Sequence, residues 1–286
     1  MSPTTIPGNL LLKNGMVITG SQKNKGLLDE FTGAAAAYSL RDLTFLRGNP
    51  VIRVRRSSDN TESDFTATEV SDGTLAAWVG AGNDGFVRTW YDQSGNSRHA
   101  EQTTAANQPR IVASGVAVTQ GLGNAIDWVD GGNYALVANF GATLPQPNTI
   151  FASCNFNGNS GQQEYIYEGL SSGNRHALLH FQAPNKFGTF AGFELFEAVA
   201  DLSQGQKLFT SVFNTNASLL FKNGNQVASG SAGSNNLTGL TIGNYYTPSS
   251  VFNWDDTIAE IIVYPSNQSS NRVGIETNIN AHYSIY

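Results

Sequence analysis

Cysteine is almost missing from this chain: Cys154 stands alone among 286 residues, which excludes an intrachain disulfide framework and a Cys-rich metal site and leaves Cys154 as a small buried hydrophobe. Charge is scarce as well. Charged residues make up 13% of the sequence, against a usual value of about 25%, and the balance is acidic, with a formal charge of -6 at pH 7. Nucleic-acid binders neutralise phosphates with a basic face; here the one basic cluster is Arg53-Val54-Arg55-Arg56, so no nucleic-acid partner is expected. Long apolar runs are absent too. No run of about 18 apolar residues exists to cross a membrane, and Leu10-Leu11-Leu12, with no basic residues before it, falls short of the roughly 7–15-residue core of a signal peptide. Neither a membrane partner nor a signal peptide is expected.

What the chain has in quantity is turn residues and aromatics. Thirty glycines, abundant Asn, Ser and Thr, and 10% aromatics suit short strands joined by tight turns, not a helical bundle or a disordered chain. An all-β sandwich of this size folds as one domain. Residues 1–26 are polar and weakly patterned and read as an N-terminal extension or anchoring segment, with a hairpin over Leu10 to Ile18 around Asn14-Gly15. Residues 27–286 form the sandwich domain. Leu27 to Leu46 begins with helical spacing. Phe86 to Tyr91, Ala125 to Trp128, Thr149 to Cys154, Leu240 to Gly243 and Ile258 to Tyr264 are short β-type runs, and Leu219 to Ser229 is a hairpin about Asn223-Gly224. In the basic run, extended backbone puts Arg53 and Arg55 on one solvated, ion-paired face and Ile52 and Val54 on the other. After Pro265, Ser269 or Ser270 caps a closing helix that carries Val273, Ile275, Ile279 and Tyr283.

One segment is too specific for composition to explain: Trp90-Tyr91-Asp92-Gln93-Ser94-Gly95-Asn96-Ser97-Arg98-His99, followed by Ala100-Glu101-Gln102. It resembles the Y-D-Q-S-G-N-G-x-H-x-x-Q element of concanavalin A-like, laminin G-like jelly-roll domains, with Ser97 in place of the second Gly. Ala37-Tyr38-Ser39-Leu40-Arg41 and Val54 to Asn60 look like that family's opening strands, and Ser269 to Tyr286 like its terminal helix, with His282 in place of a Tyr. The resemblance covers residues near 30 to 286. It implies an all-β, concanavalin A-like (laminin G-like) jelly-roll β-sandwich with a short C-terminal helix. The family includes structural proteins of bacteriophages and, more distantly, the catalytic domain of arabinofuranosidase B. With no export signal expected, the resemblance implies a bacteriophage virion structural protein, a capsid decoration, head fibre or tail fibre component. It would be made in the host cytoplasm, be held by other virion proteins through residues 1–26, repeat as a homo-oligomer on the particle and bind host surface glycans. The alternative is a glycoside hydrolase, or a free carbohydrate-binding module, acting on polysaccharide.

No catalytic residue is assigned and no enzyme is expected, because a hydrolase wants two converging carboxylates and the sequence offers no convincing pair. Glu62-Ser63-Asp64 has the i, i+2 spacing but reads as a loop, and Glu164 and Glu168 share a strand face roughly 13 Å apart. The candidate ligand-binding residues are Asp92, Asn96 and His99 in the shared motif, with Asp92 equally suited to an Asx turn, and the aromatics Tyr245, Tyr246 and Trp254 around Pro248-Ser249-Ser250, with Trp254 equally suited to the core. His176 and His180 read as strand residues too far apart to share a metal ion. No metal ligand or cofactor is assigned. Structural calcium, held by Asp84, Asp92 or Asp130 with loop carbonyls, is the one such group left open.

Overall fold

The structure is a computed structural model that describes residues 9–11, 17–19, 25–128, 131–158 and 161–286. Ten strands form one antiparallel sheet, the front. In spatial order they are Glu62–Thr66, Pro50–Arg56, Gly85–Trp90, Ala100–Glu101, Leu136–Leu144, Leu237–Ile242, Glu164–Glu168, Ala177–Phe181, Lys186–Phe190 and Glu194–Phe196. Six more form the back: Asn225–Gly230, Ser218–Lys222, Gly205–Phe213, Asn148–Phe156, Thr257–Tyr264 and Ala36–Ser39. Short strands Ile126–Asp127 and Arg110–Ala113 join Thr257–Tyr264 of the back to Gly85–Trp90 of the front. The expected all-β sandwich with a C-terminal helix is what the chain forms.

The core lies between the layers. Leu136, Ala138, Ile166, Leu240 and Ile242 from the front meet Ile150, Ala152, Cys154, Phe209, Ile261 and Val263 from the back, each strand giving alternate residues to the interior as a period of two demands. Cys154 is buried there as expected. The back sheet is covered on its outer side as well. Helix Arg272–Tyr283 lays Ile275, Ile279 and Tyr283 on Phe151, Leu208 and Ile262, which is why Thr257–Tyr264 is buried at every position. Among the described residues no helix of this kind covers the front sheet, and its outer face is mostly polar or aromatic. The helix is capped differently from expectation. Its N-cap is Asn271, with no side-chain cap, because the Asn271 amide turns back to Gln268 Oε1 at 2.8 Å.

Most of the expected elements are present. The Asn223-Gly224 turn joins two strands with both residues at positive φ, 50° and 77°, a conformation that Gly adopts at no steric cost. The basic run places Ile52 and Val54 in the core while Arg53 pairs with Glu62 at 2.9 Å and Arg56 with Asp59 at 2.6 Å. Leu27–Glu30 is the helical start of the domain. Within the extension, Asn9–Leu11 pairs with Val17–Thr19 as an antiparallel hairpin; the Asn14-Gly15 turn assigned to it lies outside the described residues. Two readings need correction. Glu62-Ser63-Asp64 is no loop but the start of strand Glu62–Thr66, because Arg53 and Arg55 opposite give its polar side chains partners. Glu164 and Glu168 do not share a face. A bulge falls between Tyr165 and Tyr167, so Ile166 and Tyr167 both turn inward, Glu164 lies opposite the inward His180, and Glu168 faces out.

Candidate functional site

Asp92 is the hub of the shared motif. Its Oδ1 accepts the N–H of Ala37 at 2.8 Å and of Ser94 at 2.9 Å, and its Oδ2 accepts the Ser94 hydroxyl at 2.8 Å and the Arg98 N–H at 3.0 Å. The bond to Ser94 closes an Asx turn. Gln93 donates to the carbonyls of Ser39 and Arg41 and accepts the Leu43 N–H, and Asn96 donates to the carbonyls of Ala34 and Ala35. These polar side chains are spent on fastening the loop to the strand Ala36–Ser39. His99 is used differently. Its Nδ1 accepts the Asp92 N–H at 3.1 Å, which fixes the neutral ring with its proton on Nε2, and the ring stands edge-to-face with Tyr91 at 5.0 Å. His99 and Tyr91 line a cavity of about 510 Å³ whose other wall is the loop that contains Asp42, Leu46 and Asn49.

The second candidate region is the outer face of the front sheet. Directly opposed residues share a face, and the pairings give one continuous outward row: Asp64, Arg53, Thr89, Glu101, Val137, Thr241 and Glu168. One end is ionic. Arg53 holds Glu62 at 2.9 Å and Asp64 at 3.5 Å, Arg88 holds Glu101 at 3.5 Å, and Tyr91 donates to Asp64 Oδ1 at 2.8 Å. The other end, four interstrand steps or about 19 Å from the strand Gly85–Trp90, is aromatic. Tyr245 packs against Tyr246, Phe252 and Tyr165 at centroid distances of 4.1, 5.0 and 5.1 Å. Asn244 sets this loop by accepting the N–H groups of Tyr245 and Ser249 and donating to the Tyr134 carbonyl.

Beneath these rings lies a buried ion pair. Arg175 Nε donates to Glu168 Oε2 at 2.9 Å, and its Nη2 donates to the Tyr165 hydroxyl at 3.1 Å. Its guanidinium lies over Phe190 at 4.3 Å and Tyr245 at 5.0 Å. Glu168 Oε1 accepts the N–H groups of Gly169 and His176. Burial raises the Glu168 carboxyl above the usual carboxylate range, outweighing Arg175 and the two N–H donors, which pull the other way. Burial also pushes the Tyr245 hydroxyl up to about 12.

The structure thus groups Asp92, Asn96 and His99 at one place and Tyr245 and Tyr246 at another. Trp254 joins neither: it is 0% exposed and stacks on Phe156 at 6.0 Å in the core. Glu168, Arg175 and Asp42 were not singled out as site residues from the sequence. A bulge hides the orientation of Glu168 from period-two counting, and only a fold reveals that Asp42 and His99 line one cavity. His176 and His180 are both buried against rings, Phe213 at 3.7 Å and Phe187 at 4.9 Å. Asp84 Oδ1 accepts the Ser114 N–H, and Asp130 lies outside the described residues. No group of three or more His, Cys, Asp or Glu side chains that could hold a metal comes together among the described residues, and no helix among them is long and apolar enough to cross a membrane.

No protein-family model matches the chain, and no curated protein sequence matches it significantly. Its fold does match solved structures. A GH54 α-L-arabinofuranosidase soaked with a cyclic sulfate inhibitor superposes with a TM-score of 0.59 at 14% identity, covering 87% of this chain and 63% of that one. An arabinofuranosidase complexed with arabinofuranosyl-α-1,2-xylobiose gives 0.56, 14%, 87% and 63%. The Trypanosoma rangeli sialidase matches more loosely, with a TM-score of 0.44 at 13% identity over 66% of this chain and 30% of that one. This chain therefore spans under two thirds of the length of the arabinofuranosidases whose fold it shares. These neighbours correct two expectations. The structures reported above are those of glycoside hydrolases, which speaks against the expected virion structural protein and against the expectation of a protein without catalysis. The opening-strand and turn motifs had pointed to the sandwich, which both classes share.

Proposed function

We propose that this chain is a glycoside hydrolase in class, acting on a glycan laid along the outer face of the front sheet with Glu168 as proton donor. The observation that carries the reading is the Glu168 carboxyl, raised by burial and set on the outward row under a group of aromatic rings. A carboxyl whose proton is held more tightly than usual suits general-acid attack on a glycosidic oxygen. Tyr245, Tyr246 and Phe252 offer the flat surfaces on which sugar rings stack. Arg175 roofs the carboxyl, and a sugar hydroxyl that takes over its guanidinium uncovers it. Glu168 then gives its proton to the glycosidic oxygen as the C–O bond breaks, and water adds at the sugar carbon, losing a proton to a second carboxylate. The outward carboxylates that bracket Glu168 are Glu101 and Glu194, each three interstrand steps away, about 14 Å between backbones.

The likeness to the arabinofuranosidases supports the reading through the fold; the chemistry rests on the residues. The test is reducing-sugar release from a polysaccharide panel, together with 4-nitrophenyl glycosides, for the unmodified chain and for E168Q, E101Q and E194Q. Turnover that falls by about 100-fold or more in E168Q, with the fold unchanged by circular dichroism, is expected. Absence of turnover on every substrate, or full activity in E168Q, removes the proposal.

A further inference from the structure

The cavity beside the shared motif has features that the outer face does not explain. At about 510 Å³ it lies within the range of small-ligand sites, about 300–1,000 Å³. One wall is rigid, since the loop Tyr91 to His99 is nailed to Ala34–Ala37 through Asp92, Ser94 and Asn96. Apolar surface comes from Leu46, Pro50 and Val51 and from the Tyr91 ring. Three polar ends are left over. Asp42 and Asn49 line the cavity with no hydrogen bond from either side chain among the described residues, and the charge that acts on Asp42 is that of Arg47. His99 Nε2 carries its proton because Nδ1 is already an acceptor. Asp92, by contrast, has filled both oxygens with four donors and offers the cavity nothing.

An acceptor carboxylate, a donor imidazole and an amide that does both, set among apolar walls and one aromatic ring, match the alternating hydroxyls and C–H faces of a saccharide. A metal ion is a poor match, because Asp42 is the one carboxylate lining the cavity besides the fully bonded Asp92. We propose that this cavity is a second saccharide site that takes one or two neutral sugar units, with Asp42 accepting from a pair of hydroxyls and His99 Nε2 donating to a third. The ligand class rests on the glycan-directed reading above; the cavity and its free groups do not. Such a site, about 19 Å from the aromatic end of the outer face by strand spacing, would hold the polymer near Glu168 without taking part in bond cleavage.

The test follows the His99 imidazole resonances by long-range proton–nitrogen NMR while the full chain is titrated with L-arabinose, D-galactose, D-glucose, D-mannose and xylobiose, and separately with ethanolamine as a cation probe. At least one sugar is expected to shift them to saturation. D42N, which replaces one of the two acceptor oxygens with a donor, is expected to weaken that binding about tenfold. L46W, built on an exposed residue of the wall, is expected to abolish it, and Y245A and E168Q to leave it unchanged. The proposal is overturned if no sugar shifts His99, if ethanolamine alone saturates, if D42N binds as before, or if Y245A abolishes the response. Because E168Q is read by turnover and D42N by this titration, the two proposals fail separately.

Discussion

Asp92 concentrates four hydrogen bonds on one carboxylate whose residue is 9% exposed, and bonds to an ionised acceptor are roughly twice as strong as neutral ones. D92A strands four donors, one of them the buried N–H of Ala37, and is expected to cost about 3 kcal/mol in chemical denaturation. D92N keeps one acceptor oxygen but sets an amide against the Arg98 N–H, and should fall between D92A and the unmodified chain. The two buried histidines give a pH signature. Burial lowers His176 to about 3 and His180 to about 4, below the unfolded value of about 6.5. The unfolded chain therefore binds protons first as pH falls, so their contribution is complete above about pH 6.5 and is lost progressively down to about pH 4. Glu168 and Glu276, raised by burial, work in the opposite direction, so the readout is a difference. H180Q should show less acid destabilisation than the unmodified chain over that interval, on the order of 2 kcal/mol, by urea melts at stepped pH. At this scale the sequence was informative about Asp92, whose turn chemistry is local. It said nothing of Asp42, which the fold brings to the same cavity as His99.

At the scale of elements, the back sheet depends on its closing helix. Ile279, 1% exposed, lies among Phe151, Leu208 and Ile262, and I279A is expected to destabilise the fold by about 3 kcal/mol in denaturant titration. The contact is on the far side of the sandwich from the front face, so ligand binding by the folded variant should be unchanged. The strands were legible because alternation and Asn-Gly turns are local signals, and the Leu219 to Ser229 hairpin was read with its turn residues correct. What failed was parity. A bulge adds a residue without a sequence mark, so Glu164 and Glu168 were assigned to one face when they lie on two, and the polar Glu62-Ser63-Asp64 was taken for a loop because its partners Arg53 and Arg55 come from another strand.

Across the whole molecule, sixteen strands in two layers present one face covered by a helix and one left open, ionic at one end and aromatic at the other. If glycans lie along the open face, Y245A should raise KM more than it lowers kcat, because the ring stacks on substrate without touching the broken bond; E168Q should do the reverse. Steady-state kinetics on one hydrolysed polysaccharide separates the two. The sandwich was legible from the Tyr91 to His99 motif, whereas the candidate site on the outer face was not, since the residues of that motif mostly hold strands together and the outward row is assembled from seven strands scattered through the chain.

The bulge at Ile166 and Tyr167 carries one more consequence. Upstream of it, odd-numbered residues of the strand Glu164–Glu168 look outward, and downstream of it even-numbered ones do. Losing one of the two inward residues would restore strict alternation and leave Glu168 facing out, whereas straightening the strand at constant length would send Glu168 into the hydrocarbon interior and turn Tyr167 outward. What this face presents therefore depends on one extra residue being accommodated, so among descendants of this chain a substitution that abolished the bulge at constant length would alter the surface more abruptly than deletion of one bulge residue.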